Sequence, residues 1–483
     1  MNCIKTPQSR CRAAVARCDI TPPVGIYHRM WGAAMHDRAT GVHRPLEATV
    51  LWLEPESASA DESRIIVSLD HCILDTAELV NIRNSIAKST GVRFENILIT
   101  VSHTHGSGWM SRTRSSLPGG ELIGPYLDDL AVRLADLARD AQPRVEAATI
   151  VYGTGRCSLA AQRDYLDTET GQYVCGFNPT GPADDTLLVA RIANPAGNTL
   201  AILVNYACHP TTLAWDNTLL SPDWVGAMRE VVESSEGGYC LFLQGASGDL
   251  GPREGYVGDT AVADRNGRQV GFAVLSTLTT LAPVGTEYRY AGPVLSGCTI
   301  GTWKHQSLSQ HDLSSQTTWH WEHLTVDLPY RHDLPSIEQT TIEREHWLAE
   351  ESIARKSGDE AHLRICRAQI EQRSRQLTRL NALAPGRCWP LPVEIAILGD
   401  ALWIFVPGEL YQVFQLTLRT RFAPRPVVVC TLTNDWQPGY IPPASTYGYG
   451  IYQEIIAATS PGCLETLVET IAREVERMIG ERC

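Results

Sequence analysis

Seven short, nearly continuous apolar runs constrain this chain more than anything else in it: ATVLWLE, RIIVSLD, ENILITV, AATIVYG, TLLVARI, TLAILVNYA and YCLFLQGA, all before residue 247. Each is too short for a helix, and β-branched residues fill most of them, which is how a strand buried on both faces reads. Helical patterns lie between them. TAELVNIRNSIAKSTG ends on Gly91, placed as a C-terminal cap, and GPYLDDLAVRLADLARDAQ carries apolar residues at helical spacing. Strands alternating with helices predict an α/β fold, a mixed β-sheet core flanked by helices.

Further buried strands follow at EIAILG, ALWIFVPG and PVVVCTLTN, and the last pattern is an amphipathic helix, CLETLVETIAREVERMIG. There is no internal repeat and no low-complexity linker, so residues 1–483 read as one composite domain. A charged helical segment at 336–383, broken by Lys356-Ser357-Gly358-Asp359, reads as an inserted hairpin. It is expected to be a surface or a contact in a homo-oligomer, not a chemical element.

A net charge of −13 argues against nucleic acid or an anionic membrane as the main partner. The N-terminal region has no continuous apolar core of a secretory signal, and no window offers the roughly 18 apolar residues of a membrane helix. The expectation is a cytoplasmic protein. The 14 cysteines form no Cys-x-x-Cys pair, and many sit in apolar runs, as small buried hydrophobes do.

The strands end in polar residues. ILITV runs into His103-Thr104-His105, and in an extended backbone residues i and i+2 share a face. SLDH, NYACHPTT, FLQGASGDLGPR and WIFVPGELY add Asp70 and His71, His209, Asp249 and Glu409 at other strand ends, and NDWQPGYIPP adds Tyr440. Two histidines and a carboxylate from separate strand ends would satisfy a zinc site that keeps a position for water. The His320–His323 cluster lies in a polar, aromatic strand and reads as solvated or at an interface.

The ordered set ARCDITPPVG, ATGVHRPLEATVLWLE, SHTHGSG, NYACHPTT, GASGDLGP, VPGE and GYI resembles the catalytic domain of the neutral (non-lysosomal) ceramidases, from about residue 13 to residue 455. The resemblance implies one zinc per chain, or another divalent metal, held by His103, His209, Glu409 and Tyr440. It implies that Tyr452 is directed at the scissile amide, and it places a family arginine nearest to Arg163, in a poorly matching AAQRD context. The residue that takes a proton from the attacking water is left open between His105 and Asp249. The family's essential serine is replaced by Gly251, and Ser247 is no obvious substitute, so a metal-activated water is favoured over a serine route.

Ceramide itself is a doubtful substrate, since the family's further C-terminal sandwich domain is not expected here. Trp109 is a residue that either narrows the pocket or anchors a loop. The expected activity is hydrolysis of a small soluble amide, an N-acyl amine or N-acyl amino acid. The alternatives are a true ceramidase, an ester or lactone hydrolase, or a member that only binds ligand.

Overall fold

The computed structural model describes residues 3–57 and 60–481. Eight strands form the large mixed sheet: β1 (Gln8–Asp19), β2 (Glu47–Glu54), β3 (Arg64–Leu69), β4 (Ile97–Val101), β5 (Glu146–Arg156), β6 (Thr186–Ala193), β7 (Thr199–Tyr206) and β8 (Tyr239–Gln244), in the order β8-β7-β6-β5-β1-β2-β3-β4. The central pairs are antiparallel, whereas β3 with β4 and β7 with β8 are parallel. Each parallel pair needs a crossover, supplied by helices α1 (Thr76–Thr90) and α3 (Trp224–Glu236). Helices α2 (Ile123–Ala141) and α4 (Thr260–Leu278) lie beside them.

Four strands form a second sheet: β9 (Trp319–Pro329), β10 (Cys388–Leu398), β11 (Ala401–Phe405) and β12 (Val427–Cys430), in that order. The side-chain period of two sorts its residues. On β11, Trp403 and Phe405 meet Leu51, Ile66 and Leu203 of the large sheet, while Leu402 and Ile404 face the outer core. That outer core includes residues of helices α7 (Gln412–Arg421) and α8 (Cys463–Gly480). The fold is α/β, two sheets face to face with helices outside.

The central strand β1 was not among the expected strands, because Arg10, Arg12 and Arg17 interrupt its apolar pattern. Arg12 pairs with Glu54 and Arg17 with Glu47, both on neighbouring β2, so the cations are held by cross-strand carboxylates. The hairpin is present as α5 (Ile337–Ser357) and α6 (Glu360–Ala382), turning at Gly358 with φ 73°. Ser336 and Asp359 cap the two helices. No helix is long and apolar enough to cross a membrane among the described residues.

The edges of the large sheet curl toward each other. Ser68 Oγ on β3 donates to Phe242 O on β8 at 2.7 Å. The chain leaving β12 runs between those edges: Thr431 N donates to Gln244 O at 2.9 Å and Asn434 N to Ile99 O at 2.7 Å. β11 and β12 are also parallel and joined by α7. The C-terminal ends of three parallel pairs therefore converge, where ligands bind in open α/β sheets.

Candidate active site

His103 follows β4, His209 follows β7, Glu409 follows β11 and Tyr440 follows β12. The premise of an extended His-Thr-His is corrected by the backbone. His103 adopts φ 67°, in the left-handed region, and His105 opens a 3-10 turn. The strained residue is held by His103 N donating to His71 O at 2.9 Å. Both rings still reach one place, with centroids 5.1 Å apart.

His103 Nδ1 lies 2.8 Å from Cys72 O, and His209 Nδ1 lies 2.7 Å from Ser247 O. Carbonyl oxygens only accept, so both Nδ1 atoms carry the proton and both Nε2 atoms present a lone pair. Those lone pairs face one carboxylate oxygen, Glu409 Oε2, at 3.3 Å from His103 and 3.0 Å from His209. Three acceptor atoms facing one another repel unless a positive charge stands among them, either a second proton on an imidazole or a metal ion. Zinc bound by two imidazoles and a carboxylate has this donor set.

Protonation behaviour agrees with that demand. Burial raises the Glu409 carboxyl, but His103 and His209 overcome it and hold it well below the usual carboxylate range. Burial lowers His103, yet Cys72 and Glu409 lift it well above its ordinary value, whereas burial and then Arg163 push His209 down to about 4. The Tyr440 hydroxyl lies 3.4 Å from His209 Nε2 and accepts from Arg163 Nη2 at 2.9 Å. Glu409 and Tyr440 are brought together because Glu409–Leu410 pairs in parallel with Tyr440–Ile441. Gly408 permits this, since a Cβ there would lie 2.9 Å from Gly439 O at φ 82°.

The other expected residues divide. Both ring nitrogens of His105 are buried without a hydrogen-bond partner, and its ring lies against Trp31 at 4.9 Å between centroids. Burial, then His103 and His209, hold His105 neutral. Tyr452 lies at the start of a one-turn helix, Tyr452–Ile456, with its ring 6.0 Å from that of Tyr440. Arg163 is buried and also donates to Gly248 O at 2.6 Å.

Asp249 does not join them. Its carboxylate accepts from Gln412 N at 2.8 Å and Gln412 Nε2 at 2.7 Å, at the start of α7. Burial raises its carboxyl to about 6, and it lines neither the cavity nor the small recess described below. Its glycine-flanked turn made it look available, and a partner 163 positions away occupies it. Ser247 is a support, its carbonyl tethering His209 while its hydroxyl accepts from Gln244 at 2.6 Å. Asp70 is spent on an ion pair with buried Arg229, and His71 on the Tyr126 hydroxyl at 2.7 Å. His320 and His323 each face a glutamate, Glu322 at 3.1 Å and Glu394 at 2.7 Å, away from the donor set.

A recess of about 60 Å³ touches His103, His105, Glu409, Tyr440 and Tyr452, and it adjoins a cavity of about 520 Å³. The hairpin, expected to be a surface or a contact, borders both spaces. Arg375 and Arg379 of α6 line both spaces, and Glu371 lines the larger. Trp31, Trp215 and Tyr256 form an aromatic wall, with centroids 5.7 to 6.5 Å apart. None of these was singled out in the sequence. The one available signal was a cluster of arginines at helical spacing inside the hairpin. Trp109 is a buried anchor, with the Arg114 guanidinium 4.3 Å and that of Arg375 4.9 Å from its ring centre.

No family model matches the chain, and no curated protein sequence matches it. Solved structures do. The neutral ceramidase from Pseudomonas aeruginosa superposes with a TM-score of 0.64 at 15% identity, over 97% of this chain and 74% of that one. A structure titled "Ceramidase complexed with C2" gives 0.65 at 16%, over 99% and 76%. The fold is that of neutral ceramidase. The neutral ceramidase fold extends across nearly the whole chain here, at an identity so low that the backbone is what the proteins share.

Proposed function

We propose that this protein is a metal-dependent hydrolase of an amide bond, with a single zinc or similar divalent ion at His103, His209, Glu409 and Tyr440. One observation carries the reading: two histidines, tethered through Nδ1 to backbone carbonyls, turn their Nε2 lone pairs on one buried carboxylate oxygen. The choice of an amide rests on the fold, since the similar structures are ceramidases by title. A divalent ion at that point supplies Lewis-acid polarisation of a carbonyl and a nucleophilic water at neutral pH.

The chain's own residues do the rest. Tyr440 and Tyr452 line the recess, Arg163 lines the larger cavity and donates to Tyr440, and together they orient the amide. His105, neutral and with both ring nitrogens unpartnered, accepts the proton released by the attacking water. It can return that proton to the departing amine. The aromatic wall of the larger cavity receives the apolar part of the substrate. A serine nucleophile has no counterpart at Gly251.

Elemental analysis of the purified, unchelated protein, followed by a panel of N-acyl amines and N-acyl amino acids, tests this. About one zinc per chain, removed by His103→Ala together with turnover, is the expected result. Protein that stays metal-free after expression in zinc-supplemented medium, with no turnover, would sink the reading.

A further inference from the structure

The charges around the cavity do not balance. Glu371 is held by Arg114, at 2.9 and 3.0 Å, and by Arg375 at 2.8 Å. Glu409 is committed to the histidines. Arg375 is further occupied by Glu371 and by Met30 O. Arg379, one turn along the same face of α6, makes no hydrogen bond or ion pair among the described residues, yet it lines both the recess and the cavity. Two arginines at i and i+4 repel; Glu371 neutralises Arg375, whereas no carboxylate pairs with Arg379 among the described residues. Burial lowers the Arg379 guanidinium, an effect that Tyr452 offsets only in part, and Arg375 lowers it further. An anion at that spot relieves both costs.

We propose that Arg379, backed by Arg375, receives a carboxylate carried by the substrate a few bonds from the scissile amide. The inference rests on the hydrolase reading for its reaction and on the unpaired guanidinium for its ligand. Two kinds of amide have this chemistry. An N-acyl amino acid carries the carboxylate on the amine side, and the half-amide of a dicarboxylic acid carries it on the acyl side. Guanidinium pairs with carboxylate bidentately, so the contact fixes orientation as well as affinity. The apolar remainder lies against Trp31, Trp215 and Tyr256.

The test is equilibrium binding to the full chain, followed by tryptophan fluorescence and calorimetry, with turnover measured in parallel. The probes are N-octanoyl-glycine, its neutral carboxamide and N-octyl-succinamic acid. At least one acid should bind about tenfold or more tightly than the carboxamide, the worth of a charge-assisted pair. Arg379→Leu should erase that preference while leaving carboxamide binding and metal content intact, and Arg379→Lys should keep part of it. Which acid is preferred identifies the side of the amide that bears the charge. Equal binding of both acids and the carboxamide to the unaltered protein overturns the proposal, without appeal to any variant. So does a preference that survives Arg379→Leu, which would place the carboxylate on the metal instead. Arg379-dependent binding of an acid with no turnover of any probe would retain this proposal and sink the hydrolase reading.

Discussion

Two regions meet at the cavity, and they are built in opposite ways. At the donor end His103, His209 and Glu409 lie two to four positions beyond strands and Tyr440 ten, and backbone hydrogen bonds fix each histidine ring. The hairpin end consists of long arginines on a helix, held by the Arg114–Glu371–Arg375 ion pairs. A metal needs donors placed within a few tenths of an ångström, which strands and carbonyls provide. A substrate's outer groups tolerate looser placement, which an inserted hairpin provides. On the proposed reading, reaction chemistry and substrate choice would sit on separable parts of this molecule.

The largest effect should come from breaking the donor end. His209→Ala is expected to reduce bound metal to background, and turnover by more than the ~10–100-fold cost of losing a mere supporting partner. Elemental analysis and initial rates measure both. Wild-type metal content in this variant would mean that the converging lone pairs are not the site.

Glu371→Gln breaks the hairpin end. Burial raises this carboxyl, but Arg375 and Arg114 pull it down to about 2. A depressed carboxylate stabilises the fold above its unfolded pKa of ~4.3, and that stabilisation is lost as pH falls toward about 2. The variant should therefore lose ~3 kcal/mol near neutral pH and show a flatter acid limb in denaturant titrations. Bound metal should not change. A parallel loss of metal would show that the two ends are not separable.

Asp249→Asn sharpens the boundary between support and chemistry. The new amide cannot accept from both Gln412 donors, so stability should fall by ~1–2 kcal/mol. Metal content should hold and turnover should fall only a few-fold. A collapse in turnover with unchanged stability would return Asp249 to the role of base.

What was legible in the sequence follows the same division. Most strands could be read because each is a local pattern, an apolar run ending in a polar turn, whereas the donor residues came together as a set only through the resemblance. The pairing of Asp249 with Gln412 could not be read, since Gln412 reaches it only through the packing of α7. Nor could the role of α6, because nothing in a charged helix says which surface it will roof. Strand β1 was hidden by arginines whose carboxylate partners lie on another strand. The left-handed turn at His103 was invisible for the same reason, being imposed by the His71 carbonyl.

The smallest expected effect bears on the mechanism most directly. Gly251 lies on the short strand Leu250–Pro252, and a Cβ there would meet only Thr211 Oγ1 at 3.7 Å and Tyr256 hydroxyl at 3.9 Å, both ordinary contacts. Its φ is outside the left-handed region, so Gly251→Ser needs no backbone change. The added hydroxyl would point toward Thr211 and Tyr256 of the cavity wall, where Thr211 Oγ1 is buried without a partner. Stability should move by no more than ~0.5 kcal/mol, and metal content not at all. If water attacks, turnover should stay within about threefold, because a new hydroxyl without an adjacent base is a poor nucleophile. A rise of tenfold or more, with a burst of acyl-enzyme, would mean that the site is still shaped around a serine, and that Gly251 is what limits this chain.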